Sequence, residues 1–145
     1  MKKIFFVITI IIATFSVSLA QNNIKKTYYD TGELECEFPL TAHGIIKCYH
    51  KNGKLRDEST FIYGKIDGLS KEYYEDGSLH KEIHYKNGKR DGDMVIYNEN
   101  SQTVWAYITY ENDKAISGEC GNGRIWTDSE VSNWNQGLNV SCSQK

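Results

Sequence analysis

Short segments of alternating apolar and polar residues, separated by Asn-Gly or Asp-Gly pairs, follow one another along most of this chain. Alternation with a period of two indicates half-buried β-strands, and Asn-Gly or Asp-Gly between two such segments indicates a hairpin. Tyr49, Tyr73 and Tyr97 are spaced by 24 residues, and Gly53 and Gly77 keep the same step. Because several residue types share one step, the pattern predicts a repeated β-hairpin.

The repeat predicts an all-β protein built as an antiparallel meander in a single sheet. About four units follow one another, with a shortened first copy from Tyr28 and a degenerate copy at residues 120–125. Single hairpins are marginally stable and gain burial by pairing with their neighbours. We expect the Lys-x-Asp-Gly segment that ends each unit to join one hairpin to the next.

The loop of each hairpin decides which side chains share a face, because a shift of one residue moves a strand's whole set of side chains to the other side. A two-residue loop would mix apolar and polar residues on both faces. A three-residue loop at 75–77 pairs Tyr73 with Leu79 and Leu69 with Ile83 instead. We therefore predict a type I turn with a glycine bulge and a positive φ at the recurring glycines, Gly32, Gly53 and Gly77. The same register predicts a buried face that includes Tyr28, Tyr49, Tyr73 and Tyr97.

The first 20 residues have the pattern of a secretory signal peptide. Two lysines precede an apolar run at 4–17, and Ser18-Leu19-Ala20 supplies small residues at a cleavage site. The run is short for a membrane span, although an uncleaved anchor is the alternative. Gln21 follows rather than Cys, so a lipid anchor is not indicated. We expect a signal peptide at 1–20, a repeat domain at 21–118, a degenerate repeat and cap at 119–145, and a periplasmic or extracellular location.

Composition and charge narrow the possible partners. The 145 residues carry 17 Lys and Arg against 19 Asp and Glu, a net charge of −2. Removal of residues 1–20 takes two lysines away and leaves 15 against 19, or −4. A mildly acidic chain argues against nucleic acid and against anionic membrane surfaces as partners. We expect no transmembrane segment in the mature chain.

Four cysteines in an exported chain predict two disulfides. Their spacings match no zinc motif, and free buried thiols are the alternative. We favour a bridge between Cys36 and Cys48 and another between Cys120 and Cys142, although four cysteines allow three connectivities. Aligning Phe38 with Ile45 places the sulfurs of Cys36 and Cys48 on opposite faces, so either a bulge lies in the connection at residues 39–44 or the pairing differs.

One short helix is predicted near the C-terminus. Thr127-Asp128-Ser129-Glu130 is a capping-box pattern, and the segment runs toward Gly137. We expect this helix to cap the open edge of the sheet. The alternative is a coil held by the bridge between Cys120 and Cys142.

The repeated residues resemble the variant MORN repeat of bacteria. The resemblance rests on Tyr-x-x-x-Gly-x-Leu, an Ile/Phe-x-Tyr cluster and Asn-Gly-Lys-x-Asp-Gly; it covers residues 25–118 and is best at 49–92. The pattern departs at Ser101 and Thr103, where Gly and Leu are expected. The resemblance implies a binding scaffold without catalytic residues, in a group that includes antitoxin-like components of toxin–antitoxin pairs.

Catalytic chemistry finds little support in the residue pattern. No phosphate-binding loop, nucleophile elbow or His-Glu-x-x-His motif is present. His80 and His84 share one face of a strand but are separated by about 13 Å, too far to hold one metal ion. We expect no catalytic residue, no metal and no cofactor. An enzyme that uses Asp128, Glu130 or His84 is the least favoured hypothesis.

Exposed aromatic side chains are the candidate binding residues. Tyr29 and Tyr74 lie on the outward parity of their strands. Trp126 and Trp134 lie in the tail after the repeats, where they are either exposed or folded over the last hairpin. The favoured hypothesis is an exported, non-enzymatic module that binds another protein, with an antitoxin-like or immunity-like role as one form of it. The alternative is a cell-envelope module that binds a glycan.

Overall fold

Residues 23–142 are described by a computed structural model, and the predicted signal peptide at 1–20 lies outside them. Nine antiparallel strands form one sheet in which each strand pairs with the next along the chain, as predicted. The strands are β1 (Ile24–Tyr28), β2 (Leu34–Pro39), β3 (His43–Tyr49), β4 (Leu55–Ile62), β5 (Lys65–Tyr73), β6 (Leu79–Lys86), β7 (Lys89–Tyr97), β8 (Val104–Glu111) and β9 (Lys114–Cys120). One helix, α1 (Asp128–Asn135), follows them.

The predicted three-residue loops with a glycine bulge are confirmed. In the hairpin of β5 and β6, the Gly77 N–H donates to the Tyr74 carbonyl and the Tyr74 N–H donates to the Ser78 carbonyl, both at 2.9 Å. Gly77 has a φ of 88° and Gly53 a φ of 81°, which glycine adopts without steric cost. The degenerate copy repeats this turn, with Gly123 at a φ of 86°.

The fourth hairpin, between β7 and β8, contains one additional residue. Tyr97 pairs with Val104, whereas the equivalent Tyr73 pairs with Leu79. Gln102 therefore takes the left-handed position, with a φ of 53°. The expectation that Ser101 and Thr103 replace Gly and Leu is corrected by one position, because the insertion moves those roles to Gln102 and Val104.

The connections between hairpins differ from the expectation. The Lys-x-Asp-Gly segments lie inside β5 and β7, and the chain reverses at the two residues before each of them. These pairs, Tyr63-Gly64 and Asn87-Gly88, have positive φ at both residues, as a two-residue hairpin turn requires. The aspartate of the Lys-x-Asp-Gly segment binds the two-residue turn that follows: the Asn87 N–H donates to Asp67 Oδ2 at 2.9 Å.

A second bulge beside each glycine turn changes the register. Tyr73 pairs with Leu79 as predicted, but Glu72 pairs with Lys81, so that His80 is an extra residue. The extra residue recurs in the other hairpins as Glu35, Arg56 and Trp105. No turn signal marks this position, which is why the alternation alone missed it.

Beyond the bulge, each residue of β6 pairs one position away from the predicted partner in β5, so its side chain lies on the opposite face from the one predicted. Ser70, rather than Leu69, pairs with Ile83. Ile83 lies on the face that carries the core, whereas Tyr73 lies on the other face, because side chains alternate along β5. The prediction that the recurring tyrosines form the core is therefore wrong, and Tyr28 is 58% exposed.

Each face of the sheet has a distinct character. The tail face carries a central row of directly paired residues, namely Ile46, Ser59, Ser70, Ile83, Met94, Ile108 and Gly118. The charged face carries a row of lysines and glutamates, namely Lys26, Glu37, Lys47, Glu58, Lys71 and Glu82. The core lies on the tail face of β6–β9, where Trp126 and Val140 of the tail cover it.

Both favoured disulfides are confirmed. Cys36 bonds to Cys48, and Cys120 bonds to Cys142. In the sheet Cys36 pairs directly with Cys48, whereas the predicted alignment was shifted by one residue. The two sulfurs therefore lie on the same face. The second bridge joins the last strand to the tail.

Candidate functional site

The tail that follows β9 is held against the sheet by its helix. Thr127 is the N-cap, with the reciprocal Thr127 and Glu130 hydrogen bonds of a capping box, as predicted. The Asn135 side chain accepts from the Ala115 N–H at 2.8 Å and donates to the Ala115 carbonyl at 2.9 Å. The helix thus pairs with free backbone groups of β9 and caps that edge of the sheet, as expected.

Trp126 anchors the tail on the tail face. It is 5% exposed, and a Cβ added at Gly118 would lie 2.2 Å from its ring, so only glycine admits the indole there. Its Nε1 donates to Cys120 Sγ at 3.3 Å. Trp105 and Trp134 complete an aromatic cluster around it, with ring centroids 5.4 to 6.4 Å apart.

A half-open cleft lies between this tail and the tail face of β5–β8. Its volume is about 500 Å³, within the range of ligand sites. Ile83, Met94 and Ile96 line its floor, and Trp134 and Leu138 of the tail line one wall. The cleft therefore depends on the tail, because the sheet supplies only the floor and the wall opposite Trp134.

Aromatic and cationic groups are locked together on one side of the cleft. Trp134 Nε1 donates to the Tyr110 hydroxyl at 2.6 Å, and Arg90 Nη1 donates to the same oxygen at 3.1 Å. The Arg90 guanidinium lies 4.3 Å from the Tyr110 ring centroid, a cation–π distance. Asp113 Oδ1 accepts from the Arg90 backbone N–H at 2.9 Å and from Arg90 Nε at 3.3 Å, and these bonds, the backbone one first, lower the pKa of the Asp113 carboxyl.

The opposite side carries an ion pair and a histidine. Lys81 Nζ lies 2.7 Å from Glu72 Oε2, and the His80 ring lies 4.3 Å from the Tyr74 ring. Burial lowers the pKa of the His80 imidazole, and burial raises the pKa of the nearby Tyr85 hydroxyl. The side chains are thus held neutral or paired, an arrangement suited to recognition by packing and hydrogen bonds.

The predicted binding residues lie in two different places. Trp134 lines the cleft, and Tyr74 touches its rim through His80. Tyr29 lies far along the sheet on β1's hairpin, and its hydroxyl donates to the Tyr49 carbonyl at 2.7 Å. The Tyr74 hydroxyl makes the equivalent bond to the Tyr97 carbonyl at 2.8 Å. Both tyrosines therefore join one hairpin to the next, and Trp126 lies in the core.

The sequence-based selection omitted several cleft residues. Arg90, Tyr85 and Tyr110 belong to strands that looked like ordinary repeat units, and Leu138 lies in an irregular segment. His80 was considered only as a metal ligand together with His84. The only signal for this site was the concentration of tryptophans after the third unit.

The described residues contain no feature that indicates metal binding or a helix that spans a membrane. Within residues 23–142, no three His, Cys, Asp or Glu side chains group as ligands for an ion. In the same part of the chain, no helix has the length and apolarity needed to cross a membrane.

Two solved structures are similar to this chain at low identity. TarM is 13% identical with a TM-score of 0.46 over 77% of this chain and 20% of its own. A mutant of S. aureus TarM in complex with fondaparinux, α-GlcNAc-glycerol and UDP is 12% identical with a TM-score of 0.44, over 77% of this chain and 21% of its own. The chain thus spans about a fifth of either neighbour. No curated protein matches the sequence.

Two segments match the family described as MORN repeat variant, residues 42–63 and residues 66–87. The first extends over β3 and β4 and the second over most of β5 and β6, so each match is one hairpin with its glycine turn in the middle. The chain therefore contains two segments that match the variant MORN repeat, and both lie within the sheet.

Proposed function

We propose that this chain is an exported, non-catalytic module that binds another protein through the cleft beside its tail. MORN repeats suggest a binding module. The observation that carries the proposal is the cleft itself, with an apolar floor and a rim of paired polar groups. A pocket of this kind accepts an apolar side chain of a partner and surrounds it with hydrogen bonds.

Two features support export. The two disulfides are compatible with an oxidising compartment outside the cytoplasm. The signal-peptide pattern at residues 1–20 agrees with this location. An intact mass of the protein isolated from cells tests export, and we expect a chain that begins at Gln21.

An antitoxin-like or immunity-like role is the finer form of the proposal, and it rests on the family resemblance. Such a role requires a toxic partner outside the cytoplasm. The test is to express the neighbouring exported gene alone and together with this chain. Growth arrest that co-expression relieves supports the role, and unrelieved toxicity contradicts it.

The protein-binding proposal is tested by capture with matched variants. Mature chain is used to retain proteins from envelope extracts, and each retained protein is purified and titrated directly. Leu138→Lys changes an exposed side chain of the cleft, and Ile125→Lys changes an exposed side chain that does not line it. We expect Leu138→Lys to weaken binding at least about tenfold and Ile125→Lys to leave it unchanged. Equal binding by both variants contradicts the proposal.

A glycan is the second candidate ligand, because Tyr85, Tyr110 and Trp134 present aromatic rings at the cleft. Aromatic rings bind the apolar faces of sugars, since they supply large contact areas at low entropic cost. Purified peptidoglycan is incubated with the mature chain and with Tyr85→Ala. Binding that Tyr85→Ala abolishes supports this candidate, whereas wild-type protein that stays in solution contradicts it.

A further inference from the structure

The charged face carries opposite charges in strict alternation across six strands. Each member of the row is the direct cross-strand partner of the next: Lys26, Glu37, Lys47, Glu58, Lys71 and Glu82. Lysine is always on an odd-numbered strand and glutamate on an even one. The row therefore reads as positive and negative in turn from β1 to β6.

A second row on the same face alternates between large aromatic and smaller aliphatic side chains. Tyrosine occupies the odd strands and leucine the even ones, in the pairs Tyr28 and Leu34, Tyr49 and Leu55, and Tyr73 and Leu79. The two rows are linked, because the Tyr49 hydroxyl donates to Glu37 Oε2 at 2.9 Å. The pattern has one consequence: each odd strand complements each even strand in both charge and shape.

Several large apolar side chains are exposed on this face. Ile24 is 43% exposed, Tyr28 58% and Ile45 52%. All three lie on the charged face, because they alternate in step with Lys26 and Lys47 along β1 and β3. Exposed apolar groups that flank a polar row are typical of an interaction surface.

A two-fold axis matches this surface to a second copy of itself. An axis parallel to the strands and between β3 and β4 brings β1 opposite β6, β2 opposite β5 and β3 opposite β4 of the other copy. Every contact then joins an odd strand to an even one, so each lysine meets a glutamate and each tyrosine meets a leucine. Self-complementarity of this kind is what an isologous interface requires.

The lysines and glutamates that pair within one copy can form further hydrogen bonds with the second copy. Lys26, Lys47 and Lys71 lie 2.9, 3.4 and 3.1 Å from Glu37, Glu58 and Glu82, and side chains in these pairs are 22% to 48% exposed. A carboxylate accepts about four hydrogen bonds and an ammonium donates three. Each group is partly exposed and therefore retains capacity for further hydrogen bonds.

The area suits a reversible association. Six strands at about 4.8 Å spacing are about 24 Å wide, and strands of this length extend about 20 Å, so the pair would bury about 1,000 Å² in total. This lies at the lower end of specific interfaces. We propose that two copies of this chain pair through their charged faces, about a two-fold axis parallel to the strands between β3 and β4.

Sedimentation of the mature chain over a range of concentrations and salt tests the association. We expect a monomer–dimer equilibrium that weakens as salt screens the charges. Lys47→Glu places like charges against Glu58 of both copies, and we expect at least about a tenfold rise in the dimer dissociation constant. Adding Glu58→Lys restores opposite charges and is expected to restore the dimer. Lys89→Glu, the same change outside the six strands, is the control and leaves the equilibrium nearly unchanged.

Carbodiimide cross-linking of mixed heavy-labelled and unlabelled protein tests the register. Lys26 and Glu82 are five strands apart, about 24 Å within one copy, which is too far for a zero-length link. They meet only across the proposed axis. A mixed-label Lys26–Glu82 link supports the proposal. A monomer at all concentrations, or a dimer that lacks this link and tolerates Lys47→Glu, overturns it. The proposed cleft lies on the opposite face, so either proposal can fail without the other.

Discussion

The N-terminal and C-terminal halves of the sheet are built from one repeat, yet their tail faces differ. In β4 and β5 the central row holds Ser59 and Ser70, whose hydroxyls lie 2.6 Å apart. In β7 and β8 the same row holds Met94 and Ile108, which the tail covers. The two serines are 8% and 6% exposed and satisfy each other's hydroxyls, whereas apolar side chains occupy the row where the tail adds a second layer.

This difference shows how a repeat protein positions a site. The repeat produces a regular sheet, and the cleft lies beside its later strands. The site arises where the repeat ends, because an irregular tail crosses the sheet and leaves a gap beside Trp134. Four experiments test how far the two halves really differ, from the largest expected effect to the smallest.

The first compares one substitution in both halves. Ile108→Ala removes a side chain that is 1% exposed, and we expect a loss of about 2–5 kcal/mol in the free energy of unfolding. Ile46→Ala, in the same row of the uncovered half, is expected to cost about 1 kcal/mol or less, because the Ile46 side chain is itself only half-buried. Chemical denaturation measures both. Equal losses would remove the distinction between the halves.

The second compares the two disulfides. Replacing Cys36 and Cys48 by Ala opens a short loop and is expected to cost about 3 kcal/mol. Replacing Cys120 and Cys142 is expected to cost more, by about 1 kcal/mol, because Cys120 is fully buried and accepts from Trp126. Tryptophan fluorescence should change only in the second variant, since all three tryptophans lie in the C-terminal half. A fluorescence change in the first variant would contradict this separation.

The third tests the bonds that both halves share. Tyr29→Phe and Tyr74→Phe each remove a hydroxyl that donates to a backbone carbonyl of the next hairpin. We expect each substitution to lower the free energy of unfolding by about 1 kcal/mol, because these bonds between hairpins do not depend on the tail. Tyr107→Phe, on a side chain that is 46% exposed, is the control and should be nearly neutral. Denaturation midpoints measure all three. The Tyr29 hydroxyl also accepts from Arg56 Nη1 at 3.2 Å, so a larger loss in Tyr29→Phe is explained by that bond. A larger loss in Tyr74→Phe would show that the tail also stabilises these bonds between hairpins.

The fourth uses pH to release the tail alone. Hydrogen bonds from Arg124 and from the Thr127 backbone lower the pKa of the Glu130 carboxyl to about 2. A lowered pKa in the folded state means that the stabilisation is complete above the ordinary value of 4.5 and is lost as the pH falls from there to about 2. We expect tryptophan fluorescence to change over this range, by a small amount because the group is exposed. Glu130→Gln should remove that change, and a change that persists in this variant would assign it to another carboxyl.

Local signals in the sequence were sufficient for much of the architecture. The glycine turns, the meander order, the capping box at Thr127 and both disulfides were predicted, because each depends on neighbours in the chain. The faces were predicted incorrectly. The extra residue beside each turn, such as His80, has no side-chain requirement that a pattern could reveal, yet it inverts the side-chain parity for the rest of the strand.

The candidate site could be predicted only in part, through Trp134. Arg90, Tyr110 and Leu138 come from segments distant in sequence, and their proximity depends on where the tail crosses the sheet. That crossing depends on the contact of Trp126 with Gly118, which a search for repeats does not show. The sequence by itself determined the repeated hairpin, because turn and strand preferences act within a few residues. Only the tertiary structure decided which face became the core and where the cleft opened, because burial is set by contacts between distant parts of the chain.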